Sequence, residues 1–182
     1  MTKLTAFEIQ DALETFRIIC DTREHQIPQA KKRMAAFGVP VNRMALSYGD
    51  YCADISVNGR RSLFDGAGSA ISPTCVIERK MSLDELAGCF TRSRDRFRRE
   101  FERASANNAT VYLLIENGSW EGIMQQRYRS KLHPEAFKAS MIAWMARYHF
   151  VPVFCKAESS GALIKEILYR DIKERLEHGE YG

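Results

Sequence analysis

The chain has few of the features that mark disulfide-bonded or zinc-bound proteins. Its five cysteines include no C-x-x-C pair, and its four histidines are scattered. Most of the cysteines lie in apolar, strand-like runs, which is typical of reduced thiols that serve as small core residues in a cytosolic type of compartment. The sequence therefore predicts neither a disulfide framework nor a zinc site.

Long apolar runs are also absent. Nowhere do about 18 apolar residues follow one another, which is the length needed to cross a bilayer. The N-terminus has neither a basic start before an apolar core nor a cleavage-site pattern. We therefore expect no membrane contact and no export. The expected location is the cytoplasm, associated with the nucleoid in a prokaryotic source, or the nucleus in a eukaryotic one.

The remaining composition is that of an ordinary packed domain. The 182 residues fit a single core, and the 45% hydrophobic content is too high for a disordered chain. The net charge of +4 suits a polyanionic partner without requiring one. The distribution of the basic residues therefore matters more than their sum.

Strand-like and helix-like segments alternate along the chain. Strands are predicted at 17–20, 41–46, 51–57, 75–80, 110–115 and 151–154, and helices at 5–15, 28–37, 83–106, 120–128, 134–148 and 161–176. Asn58 and Gly59 predict a hairpin turn. This alternation predicts an α/β fold with a mixed central β-sheet flanked by helices.

Three consecutive charges follow a predicted core strand. The apolar run CVI at 75–77 continues directly into Glu78, Arg79 and Lys80. Side chains two apart in a strand point the same way, so Glu78 and Lys80 share one face and Arg79 takes the other. Charges at the end of a core strand persist when they are paired, bound to a metal or used in chemistry.

Further acidic residues fall where predicted strands stop. Asp21 and Glu24 follow the first strand, Asp50 lies in the tight turn SYGDY, and Asp84 lies in the first turn of the following helix. Ends of neighbouring strands meet in space, so these acids can converge with Glu78. Such a cluster suits a hard divalent cation and metal-assisted phosphodiester hydrolysis. For each acid alone, a solvated loop charge is the alternative.

These residues follow the order and spacing of a known family. DTRE at 21–24, GDY at 49–51, ERK at 78–80 and the aspartate of SLDEL resemble the XPF-type endonuclease signature, which is D-x-R-E, then GD, then ERK-x-x-x-D. The resemblance covers 17–176, with an N-terminal helix at 1–16 and a tail at 177–182. We expect no helix-hairpin-helix domain, and the gap between Asp50 and Glu78 is longer than in eukaryotic members.

The resemblance implies a restriction-endonuclease-like three-layer fold and a DNA endonuclease that depends on Mg²⁺ or Mn²⁺. DNA repair, recombination or mobile-element DNA processing is the implied setting. Asp21, Asp50 and Glu78 are the implied metal ligands. The implied catalytic positions are Asp21, Glu24, Asp50, Glu78, Arg79, Lys80 and Asp84.

Two other functions are alternatives to this endonuclease. One is a catalytically inactive DNA-binding or scaffold subunit, which the family also contains. The intact ERK and D-x-R-E acids argue against it, because an inactive subunit has no need of mutually repelling carboxylates. The other is a restriction-like enzyme or resolvase that acts within a larger assembly. The implied partners are DNA and either a second copy, as a homodimer, or a different subunit.

The predicted helix from Leu83 to about Ala106 is rich in arginine. Its basic stripe is predicted to contact DNA phosphates, and a solvated face paired with nearby acids is the alternative. The stripe consists of Arg92, Arg96, Arg99 and Arg103, spaced for one helix face.

Arg94 stands apart from that stripe. It falls beside the apolar side of the helix, and Ser93-Arg94 matches a small-residue-then-arginine motif of the family. We predict that Arg94 lies at the active-site cleft and holds a carboxylate or the substrate phosphate. The alternative is that its stem covers Phe90 and Phe97.

Two further features allow more than one interpretation. Glu116, at the end of the strand TVYLLIE, belongs either to the acid cluster or to a solvated loop. The final helix has apolar residues at helical spacing that predict either a core face or a homodimer face. These residues are Leu163, Ile164, Ile167, Leu168 and Ile172.

Overall fold

The structure is a computed structural model that describes residues 4–25, 27–57 and 70–179. Its elements are α1 (Ala6–Glu14), β1 (Arg17–Asp21), α2 (Pro28–Ala35), β2 (Val41–Met44), β3 (Tyr51–Asp54), β4 (Cys75–Lys80), α3 (Leu83–Phe90), α4 (Arg94–Ala106), β5 (Thr110–Glu116), α5 (Trp120–Met124), α6 (Pro134–Tyr148), β6 (Val151–Cys155) and α7 (Ala157–His178). The hairpin turn predicted at Asn58 and Gly59 lies outside the described residues.

The six strands form one mixed sheet in the order β2-β1-β3-β4-β5-β6. The β1/β2, β4/β5 and β5/β6 pairs are parallel, whereas β3 runs antiparallel to both β1 and β4. Strand β4, which carries the ERK run, therefore lies inside the sheet. The predicted mixed α/β architecture is confirmed.

Helices cover both faces of the sheet and make three layers. On one face, α3, α4 and α6 surround an aromatic core that includes Phe97 and Trp144. On the other face, α1 and α7 pack over apolar strand residues such as Ile18 and Leu114. Along β4, Val76 joins the first core and Ile77 the second, so the alternation of the strand sends Glu78 and Lys80 toward α4.

Two glycines allow backbone segments to approach each other closely. Gly49 has φ +73°, and a Cβ there would lie 2.0 Å from Val76 Cγ2. This conformation suits glycine and sets the GD turn directly against β4. Gly161 on α7 is equally constrained, because a Cβ there would lie 2.6 Å from the carbonyl oxygen of Arg33 on α2.

The single helix predicted from Leu83 to Ala106 is wrong, because the structure divides it at residues 91–93. The Thr91 hydroxyl donates to the carbonyl of Ala87 at 2.9 Å, and the Ser93 N–H donates to that of Gly88 at 3.1 Å. Hydroxyl side chains that bond nearby backbone in this way compete with the helical ladder. The break redirects α4.

The apolar stripe of α7 is used inside the chain. Ile164, Leu168 and Ile172 are buried in the second core, and Leu163 and Ile167 are partly buried against it. The core interpretation of this stripe is therefore the correct one. Among the described residues, no helix is both long enough and apolar enough to cross a membrane.

Candidate active site

The predicted strand ends meet at one open cavity of about 380 Å³. Its floor is the end of β4, and α3 with the start of α4 forms one wall. The opposite wall is made by the loop after β1 and by the turn before β3. The acidic and basic residues that line it include Arg23, Glu24, Asp50, Glu78, Arg79, Lys80, Glu85, Arg92, Arg96 and Glu100.

A buried acid and a buried ammonium group form the centre of this floor. Lys80 Nζ donates to Glu78 Oε1 and lies 5.2 Å from the ring centroid of Phe97. Burial raises the pKa of Glu78 against the opposing charge of Lys80. For Lys80, burial alone would lower the pKa, but Glu78 and Asp50 outweigh it and raise the value. Lys80 therefore stays an ammonium cation at neutral pH.

Asp50 lies beside this pair and is held by two hydrogen bonds to the backbone of β4. Its Oδ2 accepts the Arg79 N–H at 2.7 Å, and its own N–H donates to the carbonyl of Ile77 at 2.8 Å. Burial and the neighbouring Glu78 raise the pKa of Asp50 to about 7. Two carboxylates that repel each other in this way favour a bound cation.

Asp21 is buried but occupied by donors. Its Oδ1 accepts from Arg23 N at 2.6 Å and Nε at 2.8 Å, and its Oδ2 accepts from Leu46 N at 2.7 Å. Burial alone would raise the pKa of Asp21, but these hydrogen bonds lower it. Asp21 therefore ties the segment after β2 to the end of β1, and it does not line the cavity.

Glu24 and Arg79 line the cavity and pair with each other. Arg79 Nη2 lies 3.4 Å from Glu24 Oε1, which also accepts the Tyr51 hydroxyl at 3.0 Å. As the alternation of β4 predicts, Arg79 leaves the strand on the face opposite to Glu78 and Lys80. The Glu24 carboxylate therefore binds the Arg79 guanidinium and the Tyr51 hydroxyl.

The structure does not bring Asp84 to the cavity. Its Oδ1 accepts the backbone N–H groups of Arg129 at 2.7 Å and of Ser130 at 3.1 Å. The predicted helix cap at Ser82 is present, and its hydroxyl accepts the Glu85 N–H at 3.2 Å. This cap sets the first turn of α3 so that Asp84 faces the segment between α5 and α6.

The predicted DNA-binding arginines separate into groups. Arg92 and Arg96 line the cavity, whereas Arg99 is exposed on α4 and Arg103 donates to the carbonyl of Ser47 at 2.8 Å. Arg94 is not among the lining residues. Its Nη1 donates to the carbonyl of Phe90 at 3.2 Å, and its Cζ lies 5.4 Å from the ring centroid of Trp144. The structure thus places Arg94 over aromatic core residues.

Sequence reasoning missed several residues of the cavity wall. Glu100 has a side chain that is only 14% exposed, and its charge raises the pKa of Glu78, an effect smaller than those of burial and of Lys80. Its position three residues after Phe97 and four before Ala104 was an available signal of the buried face. Arg23, within the DTRE run, also lines the cavity, and its Nη1 lies 4.0 Å from Glu100 Oε1.

The donor set can be tested against a divalent metal. Within residues 4–25, 27–57 and 70–179, no three or more His, Cys, Asp or Glu side chains are grouped so that they could hold a metal ion. Asp50 and Glu78 nevertheless offer two hard oxygen donors to the cavity. Mg²⁺ is commonly held by one or two carboxylates together with water and substrate phosphate. The residues therefore fit such an ion through Asp50 and Glu78, with Asp21 engaged elsewhere.

The fold and site together define an α/β domain of the nuclease type. Its marks are the mixed sheet, the Glu78-x-Lys80 pair on a central strand and Asp50 in a turn against that strand. Residues 20–167 match the ERCC4 domain, and the chain belongs to that family. The expected XPF-type nuclease domain is confirmed, whereas the wider bounds 17–176 stay a prediction.

Solved structures show the same fold. XPF from Aeropyrum pernix matches with a TM-score of 0.58 and 21% identity over 87% of this chain and 69% of that one. XPF from Aeropyrum pernix in complex with DNA matches with 0.57 and 22% over 87% and 65%. The chain thus spans about two thirds of the length of these relatives. The restriction-endonuclease-like fold is confirmed, and no curated protein matches the sequence significantly.

Proposed function

We propose that the chain is a divalent-metal-dependent DNA endonuclease that hydrolyses phosphodiester bonds in the cavity above β4. Membership of the ERCC4 domain family supports a DNA endonuclease that acts in repair. The observation that carries the metal-dependent mechanism is the assembly of Asp50, Glu78 and Lys80 on one cavity floor. These three residues are the ones that touch the reacting phosphate and its metal in the proposal.

Asp50 and Glu78 would hold a Mg²⁺ or Mn²⁺ ion. When bound, such an ion polarises a phosphoryl oxygen and lowers the pKa of water. The chain itself places both carboxylates, because Asp50 Oδ2 accepts the Arg79 N–H at 2.7 Å and Glu78 Oε1 accepts from Lys80 Nζ.

Lys80 has an electrostatic role in this proposal. Its raised pKa keeps it protonated, so it cannot take a proton from water at neutral pH. An ammonium group that is already in position stabilises negative charge that develops on the phosphate in the transition state. Its hydrogen bond to Glu78 holds it at the floor of the cavity.

DNA is the proposed substrate, and the arginines of the cavity wall support it. Arg23, Arg92 and Arg96 line the cavity and can pair with backbone phosphates. The related XPF from Aeropyrum pernix was solved in complex with DNA. A homodimer or a heterologous partner subunit stays a prediction. The apolar stripe of α7 does not support it, since that stripe is buried within the chain.

The test is a cleavage assay with the purified chain. Labelled single-stranded, duplex, flap, fork and four-way DNA are incubated with Mg²⁺, with Mn²⁺ and with EDTA. We expect cleavage of at least one substrate with a metal and none with EDTA. DNA binding without cleavage under every metal condition would contradict the proposal and favour an inactive DNA-binding or scaffold subunit.

A further inference from the structure

Two arginines and two glutamates form a closed ring of alternating charges next to the cavity. Arg33 donates from Nη1 to Glu24 at 3.2 Å and from Nε to Glu116 at 3.0 Å. Arg79 donates from Nη1 to Glu116 at 3.3 Å and from Nη2 to Glu24 at 3.4 Å. Each carboxylate therefore touches both guanidinium groups, and the four formal charges sum to zero.

The ring joins four separate parts of the fold. Glu24 comes from the loop after β1, Arg33 from α2, Arg79 from β4 and Glu116 from the end of β5. The Tyr51 hydroxyl adds a further link, because it donates to Glu24 at 3.0 Å and accepts from Arg33 at 3.2 Å. Burial and the charge of Glu24 raise the pKa of Tyr51, so this hydroxyl stays protonated.

Only half of the ring reaches the cavity. Glu24 and Arg79 line it, whereas Arg33 and Glu116 are 6% and 3% exposed and do not. Within the described residues, Arg79 Nε is buried without a hydrogen-bond partner. The guanidinium of Arg79 is therefore oriented by its two terminal nitrogens, which both bond to ring carboxylates.

Arg79 connects the ring to the proposed metal site. Its backbone N–H holds Asp50 Oδ2 at 2.7 Å, and its neighbours along β4 are Glu78 and Lys80. Displacement of the Arg79 side chain would therefore disturb the strand end that carries Glu78 and Lys80 and that holds Asp50 through the Arg79 N–H. A small misplacement of such groups lowers the rate of reaction by about 100-fold.

Packing fixes the far side of the ring. The backbone of Arg33 lies against Gly161 of α7, where a Cβ would come within 2.6 Å of the Arg33 carbonyl oxygen. Since α2 is packed this closely against α7, the Arg33 side chain is anchored. Through Glu24 and Glu116, it holds the Arg79 side chain in place. The ring is thus a support between the helical layer and the cavity floor.

We propose that Arg33 and Glu116 are positioning residues for phosphodiester cleavage, acting through the ring to hold Arg79 and Glu24 at the cavity wall. This inference rests on the proposed endonuclease function. It assigns to Glu116 a role that is neither metal binding nor that of a solvated loop charge. Arg33 and Glu116 do not touch the substrate in this proposal, so their effect falls on turnover and not on DNA affinity.

The test removes the two supporting charges together. Arg33→Met with Glu116→Leu keeps the site neutral and leaves the pair between Glu24 and Arg79 intact, and replacement of a buried pair by apolar groups is often tolerated. We expect a folded protein whose kcat is lower by about 10- to 100-fold. We also expect KM, and the dissociation constant for DNA measured in EDTA, to change by less than about threefold, since DNA contacts remain.

The control is a partly buried ion pair outside the cavity, in which the Arg17 side chain is 25% exposed and that of Asp54 is 1% exposed. Arg17 Nε lies 2.6 Å from Asp54 Oδ2, and these two residues pair across β1 and β3 at the opposite end of β1. Arg17→Met with Asp54→Leu makes the same two replacements at this pair. We expect a change in melting temperature without a change in kcat, which separates loss of stability from loss of positioning.

Arg33→Lys provides a second, milder variant. Lysine keeps the charge but lacks the fork that lets Arg33 contact Glu24 and Glu116 at once. We expect this variant to fold and to show a reduced kcat with an unchanged KM, and it decides the question if the double variant does not fold. A ring whose loss only unfolds the protein, in both variants, would be structural and would overturn the proposal.

Wild-type activity separates the two possible failures. Normal wild-type cleavage combined with a kcat within about twofold of wild type in both folded variants would overturn the ring proposal alone, because a factor of two is far below the expected loss. Absence of any wild-type cleavage would overturn the proposed function, and the ring proposal with it.

Discussion

The raised pKa of Asp50 predicts how the stability of the metal-free protein depends on pH. Asp50 has an ordinary pKa of 3.8, and burial with the nearby Glu78 raises it to about 7 in the folded chain. At pH values between these two, the folded state therefore keeps a proton on Asp50 that the unfolded state has released. Stability from this group is fully present below about pH 4 and is lost as the pH rises through about 7.

The magnitude follows from that difference. One pKa unit corresponds to about 1.4 kcal/mol, so the rise of about three units predicts a loss of roughly 4 kcal/mol between about pH 4 and pH 7. Asp50→Asn removes the titrating group while its side-chain carbonyl can still accept the Arg79 N–H. The variant should therefore lack this part of the pH dependence and be the more stable protein at pH 7 without metal.

The assay is urea unfolding in EDTA at pH values from 4.5 to 7.5 for the wild type and for Asp50→Asn. The difference in the free energy of unfolding between the two proteins cancels groups that titrate in both. We expect this difference to grow in favour of the variant as the pH rises. Parallel pH profiles for the two proteins would refute the claim that Asp50 is forced toward its neutral form by burial and Glu78.

Further predictions concern α4, Asp84 and assembly. Arg96→Ala should weaken DNA binding and reduce the slope of log affinity against log salt concentration by about 0.9. Arg94→Ala should instead lower the melting temperature, because the contact with Trp144 is lost. Equal effects of the two variants on DNA affinity would refute this distinction. Asp84→Asn should destabilise the segment at Arg129, seen as faster amide exchange, with little loss of cleavage, and a loss of cleavage by orders of magnitude would restore Asp84 to the site. A stable homodimer would need an interface on the order of 1,000 Å², and sedimentation should then show a dimer at tens of micromolar. A monomer alone at that concentration would contradict a stable homodimer.

The centre of the site could be predicted from local sequence. The period of a strand places Glu78 and Lys80 on one face and Arg79 on the other, and the structure has this arrangement. The turn that carries Asp50 could also be predicted, because it contains Gly49, and a glycine allows the backbone to lie against β4. These features depend on residues close together in the chain or on the regular geometry of a sheet.

Contacts between distant residues could not be predicted in this way. Asp84 accepts from a backbone amide 45 residues away, and Arg33 and Glu116 are 83 residues apart. Both contacts depend on how helices pack on the sheet, which hydrophobic period alone does not determine. The break at residues 91–93 was missed for a local reason, because the hydroxyl of Thr91 bonds to the backbone in place of the helical ladder.

A bound divalent ion should offset the electrostatic repulsion between Asp50 and Glu78. An ion that binds only the folded chain stabilises it by about 2.7 kcal/mol at a hundredfold excess over its dissociation constant. Mn²⁺ should therefore raise the melting temperature of the wild type but not that of Asp50→Asn. This comparison reports on the metal site without any cleavage.

The most direct test of the account measures cleavage and DNA binding in parallel for the wild type, Asp50→Asn and Glu78→Gln. The surface variant Glu102→Gln serves as the control, because Glu102 pairs with Arg98 on the exposed side of α4. The account predicts that both site variants lose cleavage by orders of magnitude with Mg²⁺ or Mn²⁺ while DNA affinity and fold are retained, and that Glu102→Gln cleaves as the wild type does. Cleavage within a small factor of wild type in both site variants would contradict it.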